Sequence, residues 1–142
     1  MDFSAINWLA VVVAALAFFA LGALWYGPLF GKAWQKGAGL SDEDIKGGNM
    51  GKTFGAAFFF ALMISVGMAM FFFGFAAEPG CEVEMTAGTG AMYGAMTGIF
   101  FLFPSIGMNY TFAQKSMSYI LIDSGYHILA YVVVGVILGA WQ

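Results

Sequence analysis

Residues 118–141 read SYILIDSGYHILAYVVVGVILGAW. An apolar run of this length crosses the ~30 Å hydrocarbon layer of a bilayer as a helix. Only Asp123 and His127 interrupt it with ionisable side chains. An Asp placed near the middle of such a helix costs roughly 2.5–3.5 kcal/mol on insertion, so it has to face protein or water. Every fourth residue, Tyr119, Asp123, His127, Tyr131, Gly135 and Gly139, falls on one stripe, because positions four apart share a helix face. At 3.6 residues per turn the stripe drifts by about 40° per step. The polar members therefore make one continuous patch, and the glycines curl away from it.

The same length rule predicts three further spans, over 6–26, 53–77 and 86–113. Composition agrees, with 61% hydrophobic and 9% charged residues and a mean hydropathy of +0.84. Soluble domains carry about 25% charged residues. The prediction is a single all-α domain over 1–142, an integral membrane four-helix bundle. The first span has no basic residue before it and no small-x-small site after it, so it is expected to be retained rather than cleaved as a signal peptide.

All five basic residues are lysines that fall on two loops, Lys32, Lys36, Lys46 and Lys52 after the first span and Lys115 after the third. The positive-inside rule then places both termini on the outer, periplasmic side of a bacterial inner membrane. In the loop 27–52, Pro28 ends or kinks the first span. Phe30 with Trp34, and Lys32 with Lys36, stand four apart, as in a short interfacial helix. Trp25 and Trp34 are read as anchors toward lipid, and Lys32 and Lys36 as anchors toward headgroups. Ser41 followed by Asp42, Glu43 and Asp44 resembles a capped helix start. GGNMGKT at 47–53 only imitates a phosphate-binding loop, because Lys46 stands where the first glycine is required. It is read as a flexible glycine linker, and no nucleotide is expected.

Gly90, Gly94 and Gly98 recur every fourth residue on the third span. With Gly135 and Gly139 they form smooth faces that let neighbouring backbones approach, within a subunit or between subunits. Pro104 breaks the third span and leaves the Phe100 carbonyl without its helical donor. Asn109 and Tyr110 on that span, with Trp25 and Tyr26 on the first, lie at the depth of Asp123. That residue is about 8 Å and His127 about 14 Å beyond Ser118, at 1.5 Å per residue. An Asp one turn before a His is placed for a hydrogen bond between the two side chains. The ten methionines are read as gap-fillers, and no metal, haem or other cofactor is expected. Cys81 is the single cysteine, read as a free thiol on the outer loop or a link between subunits. No basic patch suits a nucleic acid.

The segments NWLAVVVAALAFFALGALWYGPLFGKAW (7–34), GLSDEDIK (39–46), Pro104 with Asn109, and SGYHILAYVVVGVILGAW (124–141) resemble a bacterial family of small multipass membrane proteins. It is catalogued as domain of unknown function 1761. Position by position, the resemblance falls on Asn7, Trp8, Trp25, Tyr26, Pro28, Gly31, Lys32, Trp34, Pro104, Asn109, Gly125, Tyr126 and His127. It implies Asn at position 123, where this chain has Asp, and it implies a membrane bundle without naming a reaction. No catalytic residue is assigned. In one reading Asp123, His127, Asn109 and the tyrosines Tyr26, Tyr110, Tyr119 and Tyr131 are interhelical glue in a non-enzymatic bundle. Its partners are then membrane lipids and either further copies of itself or the subunits of a larger membrane complex. In the other, an Asp–His–Asn cluster lines the path of a small transporter or channel. An enzyme on a lipid or quinone is a third possibility.

Overall fold

The computed structural model describes residues 3–73 and 83–141, so Cys81 and residues 74–77 of the second predicted span lie outside the described residues. The elements are α1 (Trp8–Leu24) continued by a π turn (Trp25–Leu29), α2 (Gly31–Ala38), α3 (Asp42–Gly47), α4 (Met50–Phe73), α5 (Ala87–Thr97), a second π turn (Gly98–Leu102), α6 (Phe103–Phe112) and α7 (Met117–Ala140). Among the described residues there is no strand. Among the described residues, four stretches are long and apolar enough to cross a membrane, Trp8–Leu29, Met50–Phe73, Ala87–Phe112 and Met117–Ala140. The chain is an all-α, multipass membrane protein.

Polar side chains set the helix starts. Asn7 accepts from the amides of Leu9 and Ala10 at 3.1 Å. Thr86 and Thr89 form a reciprocal capping box on α5, and Ser116 accepts from Tyr119 N on α7. In the lysine-rich loop, Ser41 and Asp44 make the corresponding box on α3. One boundary departs from the sequence reading. Asn49 caps a helix by accepting from Lys52 N at 3.0 Å, so Met50, Gly51 and Lys52 belong to α4 instead of a glycine linker. A cap satisfies amide donors that would otherwise stay open, which favours the helical start.

Both intraspan prolines sit at π turns. The Phe30 amide reaches back to Trp25 O at 2.8 Å around Pro28. Pro104 lies in the first turn of α6, directly after the π turn Gly98–Leu102. A proline ring in a regular helix collides with the carbonyl four residues back. The wider turn relieves that collision.

α7 is the axis of the bundle, packing on α1, α5, α6 and α2, with a lighter contact to α4. Its seam with α5 is made of backbone. A β-carbon on Gly90 would strike the Gly135 carbonyl, and one on Gly135 the Gly90 carbonyl. Gly94 meets the Tyr131 carbonyl in the same way, and a β-carbon at Gly98 would lie 2.7 Å from Ile128 Cα. The glycine faces thus pack within the chain. α1 packs on α4 as well as on α7, and Ala10, Ala14, Ala61, Met68 and Ala69 are buried in the core they share. Between α4 and the α5 side, a lateral cleft of about 340 Å³ is lined by Ile64, Gly67, Met68, Phe71, Thr97, Phe101 and Tyr131.

Gly90→Ala is expected to lower resistance to unfolding in mixed micelles by about 1–3 kcal/mol, the usual cost of overpacking. Gly67→Ala, where an added β-carbon meets nothing within 4 Å, should be neutral or gain up to about 1 kcal/mol from reduced chain freedom. Equal stability of the two variants would contradict the seam. A second outcome concerns α3. The Ser41 hydroxyl and amide hydrogen-bond the Asp44 carboxylate and hold its pKa below the usual carboxylate range. A depressed folded pKa gives stability that is present above the unfolded value and lost as pH falls through the folded one. Protection of the α3 amides, corrected for the intrinsic exchange rate at each pH, should therefore fall on acidification below the ordinary carboxylate range, beyond the change seen in an Asp44→Asn chain.

Candidate functional site

The stripe on α7 is anchored by Asp123, which is 8% exposed. Its two carboxylate oxygens take one phenol each. Tyr26 Oη donates to Oδ1 at 2.5 Å, and Tyr110 Oη donates to Oδ2 at 2.7 Å. Tyr26 comes from the π turn after α1 and Tyr110 from α6, so one side chain ties three spans together. Hydrogen bonds to a charged acceptor contribute about 1.5–3 kcal/mol each. Two of them offset the roughly 2.5–3.5 kcal/mol that an Asp costs at this depth. Each oxygen thus accepts one phenol, from a different span.

Further bonds surround the clamp. Trp25 Nε1 donates to the Ile122 carbonyl at 3.0 Å. The indole can lie against α7 because Gly125 has no side chain, and a β-carbon there would be 3.3 Å from Trp25 Cζ2. Tyr126 Oη donates to the Phe18 carbonyl at 3.2 Å. Its ring packs edge-on against Tyr26 at 4.9 Å and Phe18 at 5.3 Å. Phe30 lies 4.6 Å from Trp25, and Tyr110 lies 5.1 Å from Tyr119. The carboxylate is thus enclosed by aromatic rings from α1, its π turn, α6 and α7.

Several expected placements change. His127 does not bond the Asp123 carboxylate. Its Nδ1 lies 2.8 Å from the Asp123 carbonyl oxygen. Helical side chains lean toward the N-terminus, so the imidazole tilts back onto the Asp123 backbone while the carboxylate leans away toward Tyr110. Asn109 is exposed and stands outside the cluster. The π turn before α6 rotates that helix relative to a straight continuation, and Tyr110 is the residue brought to Asp123. Tyr131 stands apart as well, contacting Phe18 at 6.2 Å and lining the cleft. Trp25 and Trp34 are half-buried and join the cluster, with Trp34 edge-on to Tyr26 at 5.4 Å. Lys32 and Lys36 are exposed on α2.

Spacing along the helices missed Phe18 and Tyr126, the latter marked only by the resemblance. Tyr126 is separated from the stripe by about 60°, since three residues past Asp123 make 300° of turn. A wider stripe that included the i+3 positions would have found it. The clamp fastens three spans through one hydrogen bond to each carboxylate oxygen. Tyr26→Phe and Tyr110→Phe are each expected to lower stability by about 1.5–3 kcal/mol in a denaturant titration. Asn109→Ala should stay within about 0.5 kcal/mol, as exposed substitutions do. If Asn109→Ala proved as costly as Tyr26→Phe, the cluster drawn here would be wrong.

No curated protein and no solved structure matches the chain significantly. A family model does, over residues 9–139, and its description is protein of unknown function (DUF1761). That match covers nearly all of the four spans and every residue of the clamp, so the chain belongs to the DUF1761 family.

Proposed function

We propose that this protein is a non-enzymatic helix bundle of a bacterial inner membrane that works by association, with further copies of itself or with other membrane subunits. Both termini face the periplasm, as the lysines confined to loop 27–52 and position 115 favour. The observation that carries the reading is the tie from Asp123 to Tyr26 and Tyr110, one phenol from each of two other spans on each oxygen. A carboxylate with both oxygens taken by phenols is a fastener. The glycine seam is likewise consumed inside the chain, so a partner would meet other faces. The outward side of α4 carries Phe59, Phe60, Met63 and Phe71, each more than half exposed.

The alternative of a small transporter needs Asp123, His127 and Asn109 along one path. Its support is weak, because Asn109 is exposed away from Asp123 and His127 is turned onto the backbone. Extraction from native membranes in polymer discs, followed by native mass spectrometry, is expected to find more than one copy or a bound partner chain. A lone monomer would remove the associative reading. Asp123→Asn should insert, keep its copy number, and lose no more than about 3 kcal/mol of stability, because the amide oxygen still accepts from one phenol. Proton or ion flux in liposomes that is present in the native chain and abolished by Asp123→Asn would instead establish transport.

A further inference from the structure

α2 crosses the lysine-rich end of the bundle and reaches both arms of the clamp. Its Trp34 ring meets the Tyr26 ring edge-on at 5.4 Å, and Tyr26 holds one oxygen of Asp123. Its Gly37 sits on Tyr119, where a β-carbon would come within 2.6 Å of Cδ2. Tyr119 in turn packs at 5.1 Å on Tyr110, which holds the other oxygen. The end of α2 is fastened by Lys115, whose ammonium donates to the Ala38 carbonyl at 3.2 Å and lies 5.5 Å over the Tyr119 ring. A cation there also suits the negative end of the helix dipole. Each phenol thus connects to α2 by its own route.

The element that touches both arms is itself lightly buried. No residue of α2 is buried, whereas Tyr119 and Asp123 are each 8% exposed. On one side α2 is joined to the span by a proline-containing π turn. On the other it ends at Gly39, whose φ of 77° is left-handed and costs a glycine nothing. α3 beyond it has no buried residue either. Segments with few buried contacts open at far lower free energy than a packed core.

We infer that α2 is a hinged cover over the Asp123 carboxylate, and that lifting it slackens both phenol arms and admits water from the lysine-rich side. This stands whether or not the bundle associates with partners. The state of the clamp is then set from outside the hydrocarbon layer, by anything that grips or releases α2.

The test uses the full chain in bilayers and two readouts. Hydrogen exchange should show α2 amides exchanging at least about tenfold faster than those of 119–127. A water-soluble carbodiimide with an amine nucleophile then reports access to each carboxylate, with the exposed Glu43 of α3 as internal reference. In the native chain Asp123 should label at about a tenth of the Glu43 rate or less. Gly37→Trp, which cannot seat on Tyr119, should raise Asp123 labelling by about tenfold or more, and Lys115→Gln should raise it to a smaller extent. Lys115→Gln keeps the test decisive if Gly37→Trp fails to fold. Protection of α2 equal to that of α7 would overturn the inference. So would native Asp123 labelling as fast as Glu43, or labelling unmoved by either variant that folds.

Discussion

A carboxylate carried into hydrocarbon has to find its donors in the protein, and that requirement organises one end of this bundle. Asp123 is met by phenols from two other spans, so α1, α6 and α7 are held at a common depth. The π turns that accompany Pro28 and Pro104 precede or contain the segments that deliver Tyr26 and Tyr110. Trp25, adjacent to Tyr26, uses the same turn to reach the Ile122 carbonyl. The interruption of regular helix and the satisfaction of the buried carboxylate thus occur together. Helical backbone broken by proline is tolerated in a membrane where neighbouring groups re-satisfy it.

The other end is held by close backbone contact. There is little hydrophobic drive between helices in lipid, so association rests on packing and on hydrogen bonds. Glycines on α5 and α7 bring carbonyl oxygens to within the space a β-carbon would need. α7 therefore uses two chemistries along its length, a polar fastening toward its start and a glycine seam toward its end. The drift of a four-residue stripe around a 3.6-residue helix turns the first face toward α1 and α6 and the second toward α5.

Much of this was legible in the residues. The four spans follow from apolar length, and the stripe from spacing on one helix. The cap at Ser41 was read from its acids. What spacing on one helix does not contain is the identity of the neighbour that faces it. Asn109 and Tyr110 are adjacent, and the rotation contributed by the π turn at Gly98–Leu102 decides which of them meets Asp123. His127 turns onto the Asp123 carbonyl because helical side chains lean toward the N-terminus, which spacing alone does not express. Trp25 and Trp34 look like interfacial anchors in sequence, yet Gly125 makes room for one and Tyr26 receives the other. The resemblance that marked Trp25, Tyr26, Gly125 and Tyr126 falls on residues that touch one another or the same stretch of α7.

The central claim is that both oxygens of Asp123 are held by phenols, and infrared spectroscopy tests it most directly. With aspartate labelled by carbon-13, the difference between the native chain and Asp123→Asn isolates the stretching bands of this one carboxyl group. The account predicts that Tyr26→Phe and Tyr110→Phe each shift those bands, and that deuterium exchange of the phenols shifts them in the native chain. Bands indifferent to both tyrosines would contradict it.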